Sequence, residues 1–204
     1  METRFIRIFS FFIPEGKDPA VYRDEVMERL EKFVAVLHGS GIYCCHENEK
    51  GIFGNSPERC MDILKTFEEK IKGIFDPANF IQEGFRPLPA YELLAHYIEY
   101  IHIKDALLSD GSVTPSGKGD GDVTEILNRF SRKTGDHFLS VEPHLAVFDG
   151  FAKLENSGVV GKRTEYVFQS TEEAYDTAVH ALKGILNNIG CSQEAVGGFT
   201  TWIR

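Results

Sequence analysis

Along the chain, short runs that alternate apolar with polar residues are separated by longer stretches whose apolar residues recur every three or four positions. The first pattern is that of a strand with one buried face, the second that of an amphipathic helix. Residues 5 to 13 predict a first strand, with Pro14, Gly16 and Pro19 punctuating its exit. A helix over residues 19 to 38 follows, its apolar stripe formed by Val26, Leu30, Phe33, Val34 and Leu37. A second strand covers residues 41 to 48. Ser56 then reads as a helix cap with Pro57 at the first helical position, opening a helix through Cys60, Ile63, Leu64 and Phe67. Strands over residues 72 to 76, 99 to 105 and 137 to 142 alternate with helices over 87 to 97 and from Gly121 or Asp122 through Phe130. A connection of about 25 residues, long enough to be functional or an interface, precedes a last helix over 171 to 189.

Several of these runs end in polar chemistry. Ile42 to Asn48 ends in His46-Glu47-Asn48, Gly73 to Asn79 passes through Asp76, Tyr100 to Ala106 carries His102, Lys104 and Asp105, and Phe138 to His144 carries Glu142. In the run from Tyr100, parity places His102 and Lys104 on one face and Ile101 and Ile103 on the other, while Asp105 falls opposite His102. Strands alternating with helices, each with its polar residue at the carboxyl end, describe a (β/α) barrel, whose active site lies at that end. Only five such units can be counted, where a closed barrel has eight in about 250 residues. An open five-stranded sheet wound on both faces also fits the length, although it would not bring the strand ends into one ring.

The chain has 204 residues with 42% hydrophobic content, enough for one sizeable core and one compact domain over residues 1 to 204. Thirty-one acidic against 22 basic residues give a net charge of -9, which argues against a nucleic-acid partner. No apolar run approaches the roughly 20 residues of a membrane span. Arg4 and Arg7 interrupt the first apolar run, so it is not a signal peptide, and a cytoplasmic protein with no membrane partner is expected. The four cysteines include no Cys-x-x-Cys, and Cys44 and Cys45 sit on opposite faces of a strand, so they read as reduced packing residues.

The segments His46 to Gly51, Phe75 to Phe80, His102 to Ala106, Gly117 to Gly121 and Ser140 to Leu145, taken in order, resemble the sugar phosphate isomerase/epimerase family with its xylose isomerase-like TIM barrel. The resemblance covers nearly the whole chain and implies an α/β fold, an incomplete (β/α)8 barrel of about five parallel strands. Against the family's pattern the chain opens at what looks like the fourth strand, with the first three βα units missing. The resemblance therefore also implies open barrel edges that a homo-oligomer, as a dimer, or residues 145 to 170 would cover.

Carried over motif by motif, the resemblance implies metal ligands at Glu47, Asp76, His102 and Glu142, with Glu47 and Glu142 as the acid/base pair. Three carboxylates and one imidazole suit a divalent Mn²⁺, Mg²⁺ or Co²⁺, with Zn²⁺ also admissible, although a structural zinc would favour thiolates. The expected substrate is a small carbohydrate, isomerised or epimerised through an ene-diolate. Asn79, Lys104, Lys118 and His144 are the candidate substrate-binding residues. Lys118 lies in a glycine loop that could hold a phosphate at a helix start, but Asp120 and Asp122 repel an anion there and favour an ordinary turn with Asp as cap. Two alternatives stand beside this reading. One is a catalytically impaired truncated barrel acting as an oligomeric binding protein. The other is an endonuclease-like phosphodiesterase, which would want more histidines and a basic groove.

Overall fold

The computed structural model describes residues 3–146, 166–196 and 199–204. In chain order the elements are β1 (Phe5–Ile8), a 3-10 turn (Pro19–Tyr22) leading into α1 (Arg23–Leu37), β2 (Tyr43–Glu47), α2 (Pro57–Phe67), β3 (Ile71–Phe75), α3 (Pro77–Gln82), α4 (Pro87–Leu94) and β4 (Ile98–Ile103). The two-residue strands β5 (Asp105–Ala106) and β6 (Val113–Thr114), then α5 (Val123–Phe130), β7 (Phe138–Val141), α6 (Thr171–Asn188) and the hairpin β8 (Ser192–Val196) and β9 (Phe199–Ile203) complete it.

Five strands form one parallel sheet in the order β1-β2-β3-β4-β7. A doubly wound sheet reverses its strand order at a switch point. This one never does, and it curls as an incomplete TIM barrel. The curl is tight enough for side chains of the two outer strands to meet across the concave face: the Phe5 and Phe138 rings stand 5.7 Å apart edge to face, and Arg7 Nη1 lies 3.6 Å from Glu142 Oε2. Ile6 and Phe138 on these strands, and Phe9 just past the end of β1, nevertheless keep 40%, 52% and 37% of their surface exposed.

The convex face is the core. Cys44, Ile71, Phe75, Ile101 and Ile103 from the strands pack in one cluster with Leu30, Ile63, Leu64, Leu94, Ile126 and Leu127 from the helices. All four cysteines are free and buried, and burial pushes the Cys45 thiol up to about 12, as suits inert packing residues. No helix among the described residues is long and apolar enough to cross a membrane.

Several boundaries differ from the sequence expectation for local reasons. The strand expected over residues 5 to 13 stops at Ile8, because Phe11 takes a positive φ of 66° and Phe12 leaves the sheet for an antiparallel bridge to Ile52. Pro77 to Gln82 is an additional helix, begun by the Asp76 carboxylate accepting from Asn79 N–H with Pro77 at the first position. Asp122 does precede α5, but at φ 52° it accepts no capping hydrogen bond. The terminal hairpin was not anticipated, and Trp202 from it packs against the main core. Residues 147–165, most of the connection expected to cover the barrel opening, lie outside the described residues. Leu145 and Phe168 at its two ends pack together with Ala174 and Ala178 of α6.

Candidate metal centre

Each polar side chain of the centre is delivered by the last turn of pleat in its strand. Glu47 ends β2, His102 lies next to the end of β4, and Glu142 follows β7, where its N–H still donates to Ile103 O at 3.4 Å. Parity aims all three at the concave side. His46, one residue from Glu47, faces the other way. Its Nε2 sits 2.9 Å from Ser10 Oγ, and burial pushes its pKa down to about 3, so it stays a neutral part of the packing.

On the concave side, one donor atom each from Glu47, His102 and Glu142 lie within 4.8 Å of one another. His102 Nδ1 is 2.9 Å from Glu142 Oε2, and His102 Nε2 is 3.8 Å from Glu47 Oε2. These contacts are close but badly aligned: both His102 nitrogens and Glu142 Oε2 are buried without a hydrogen bond among the described residues. Buried polar atoms left in that condition are costly. Two carboxylate oxygens and an imidazole nitrogen converging in this way fit a divalent ion, and these three residues are the ones that could hold it.

Asp76 stands beside this group. Its Oδ1 accepts from Asn79 N–H at 3.0 Å and its Oδ2 pairs with Lys104 Nζ at 2.9 Å, with both residues buried. Asn79 acts as a strut, its Nδ2 donating to Asn48 O at 2.9 Å and Glu49 Oε2 at 3.3 Å. His144 Nε2 approaches Glu142 Oε1 at 3.4 Å, and Lys118 lies exposed on its loop.

Two contributors were not singled out from sequence. Arg7 of β1 reaches between the glutamates, its Nη1 3.2 Å from Glu47 Oε2 and 3.6 Å from Glu142 Oε2. The parity of β1, shared with Phe5 and Phe9, was the available signal. Asn48 clamps two strand ends, its Nδ2 donating to Asp76 O and its Oδ1 accepting from Asp76 N–H, both at 2.9 Å. Its place directly after Glu47 was the clue.

The electrostatics are split. Burial, then the neighbouring charge of Asp76, push Glu47 up to about 8 against the pull of His102. Burial also pushes Glu142 up, but His102 and His144 more than reverse it and hold that carboxyl well below the usual range. Burial lowers the His102 imidazole, and Glu142 with Glu47 raises it above its ordinary value. Lys104 is likewise lowered by burial and held high by Asp76.

The glycine loop does not offer its amides to a ligand. Gly117, Gly119 and Gly121 N–H donate to the Asp105 carboxylate at 2.8, 3.1 and 2.8 Å, and Ala106 N–H donates to the same group at 2.9 Å. The anion in this nest is the protein's own, so Asp105 organises the loop, and a Cβ at Gly121 would lie 2.5 Å from Asp105 Oδ1. Asp105→Ala strands these donors and is expected to cost about 3 kcal/mol in urea unfolding. A loss below about 0.5 kcal/mol would show the nest to be incidental.

The model of the xylose isomerase-like TIM barrel matches residues 1–157. The chain belongs to that family. Among curated proteins no relative matches. Solved structures agree in fold at low identity. A D-tagatose 3-epimerase-like protein superposes at a TM-score of 0.67 with 18% identity, over 92% of this chain and 64% of its own. D-psicose 3-epimerase with D-tagatose from Clostridium cellulolyticum H10 gives 0.64 and 14%, over 89% and 61%. A xylose isomerase-like TIM barrel protein from Mycobacterium smegmatis in complex with magnesium gives 0.61 and 14%, over 93% and 63%. The chain thus spans less than two thirds of the length of each of these xylose isomerase-like barrels.

Proposed function

We propose that the chain is a metal-dependent isomerase or epimerase of a small sugar or sugar phosphate. The observation that carries this reading is the convergence of Glu47, His102 and Glu142 at the carboxyl ends of the parallel sheet. The epimerases and the magnesium complex among the similar barrels support it. A divalent ion, with Mn²⁺, Mg²⁺ or Co²⁺ favoured and Zn²⁺ admissible, would supply positive charge to the carbonyl and neighbouring hydroxyl oxygens of the substrate.

The protein's own part is acid/base work. Glu142 takes the proton from the carbon beside the carbonyl and leaves an ene-diolate. Glu47, on the other side of the site, returns a proton. Delivery from the opposite side of the same carbon inverts it, and delivery to the neighbouring carbon moves the carbonyl. His144 supports Glu142, and the Asp76–Lys104 pair, with Asn79, stiffens the wall behind Glu47.

The test is deuterium exchange. Ketohexoses and their phosphates are incubated with the protein and MnCl₂ in D₂O, and deuterium is sought by NMR at the carbon next to the carbonyl. Wild type should exchange at least one of them, and Glu142→Gln should do so about a thousandfold more slowly. The second reading, a non-catalytic oligomeric barrel, is favoured by the exposure of Ile6, Phe9 and Phe138. It is the better one if wild type exchanges none of these sugars.

A further inference from the structure

Arg7 sits where a second cation would be least welcome beside a metal. The two oxygens it approaches, Glu47 Oε2 and Glu142 Oε2, are the same two that stand nearest the His102 nitrogens. An ion sharing those oxygens with His102 would lie within a few ångströms of the guanidinium, and like charges at that range in a half-buried site repel strongly. The carboxylate lone pairs serve one cation or the other.

We propose that Arg7 is a displaceable counter-cation of the centre: it balances Glu47 and Glu142 until a divalent ion takes its place, and so sets how tightly that ion is held. This rests on the metal reading above. The geometry provides the means of exchange. The Arg7 side chain is 41% exposed, and its guanidinium lies 5.3 Å over the half-exposed Phe9 ring. Rotation toward that ring and solvent needs no change in β1, whose ladder with β2 pairs Arg7 with Cys45. The guanidinium also spans the opening between β1 and β7, the two outer strands, so its departure couples metal uptake to the contact across the concave face.

The experiment is titration calorimetry with MnCl₂ on wild type, Arg7→Met and Arg7→Lys, with guanidinium NMR of Arg7 followed in wild type through the same titration. Arg7→Met should bind Mn²⁺ about tenfold or more tightly than wild type, which is about 1.4 kcal/mol. Arg7→Lys keeps the charge without the fork and should fall between them. If Arg7→Met does not fold, the Lys variant and the NMR signal carry the test, the signal moving from a paired to a solvated position as Mn²⁺ is added. Equal or weaker binding by the variants, or an Arg7 signal still paired at saturation, overturns the proposal while leaving the metal reading intact. No binding by wild type or by the variants at millimolar Mn²⁺ overturns both.

Discussion

A His102→Ala protein will bind Mn²⁺ at least about a hundredfold more weakly than wild type, since substitutions merely behind a ligand already cost ten- to a hundredfold. Glu47 and Glu142 remain after the substitution, but they face Arg7 with no imidazole to complete the set. The check is elemental analysis of the purified proteins followed by titration calorimetry. Stoichiometric metal in wild type that is lost in the variant means that the strand ends act together. Equal metal in both would place any ion elsewhere. A control with chelator present tests the electrostatics separately. The His102 pKa is raised in the fold, so its contribution to stability is complete below its ordinary value of about 6.5 and is lost as pH rises through the raised one. The difference in melting temperature between wild type and variant should therefore narrow as pH rises above about 6.5.

The second large effect is on folding. Lys104→Met removes the cation 2.9 Å from Asp76 Oδ2 and leaves a fully buried carboxylate with only the Asn79 N–H to its other oxygen. Breaking one side of a buried pair costs about 3 to 5 kcal/mol. Against a typical total of about 5 to 15 kcal/mol, that is a melting temperature lower by about 10 °C. Adding Asp76→Asn to Lys104→Met should recover much of the loss, because no uncompensated charge then remains in the wall. If Lys104→Met melts within about 1 °C of wild type, the pair does not hold the two strand ends together.

What could be read from sequence alone follows the range of the forces involved. Alternation along Tyr43 to Glu47 and Ile98 to Ile103 determined those strands and the faces of Glu47, His102 and Lys104, because a side chain's face depends only on the pleat. Ser56 with Pro57 determined the start of α2, because a cap is made within four residues. The motif order pointed to the family as a whole.

The tertiary structure decided the rest. Asp105, equally open to a role in the site or in a neighbouring loop, went to the loop, because amides up to 16 residues away close around its carboxylate. Sequence offered for Arg7 a break in an apolar run and a place on one face of β1, and what gives it a role is the curl that carries β1 to within reach of Glu142 just past β7. Which strand-end residues gather, namely Glu47, His102 and Glu142, with Asp76 turned to Lys104, was likewise settled in three dimensions. Parity assigns a side chain to a face, but only the curvature of the sheet and the competition among buried charges determine which of the residues on that face touch.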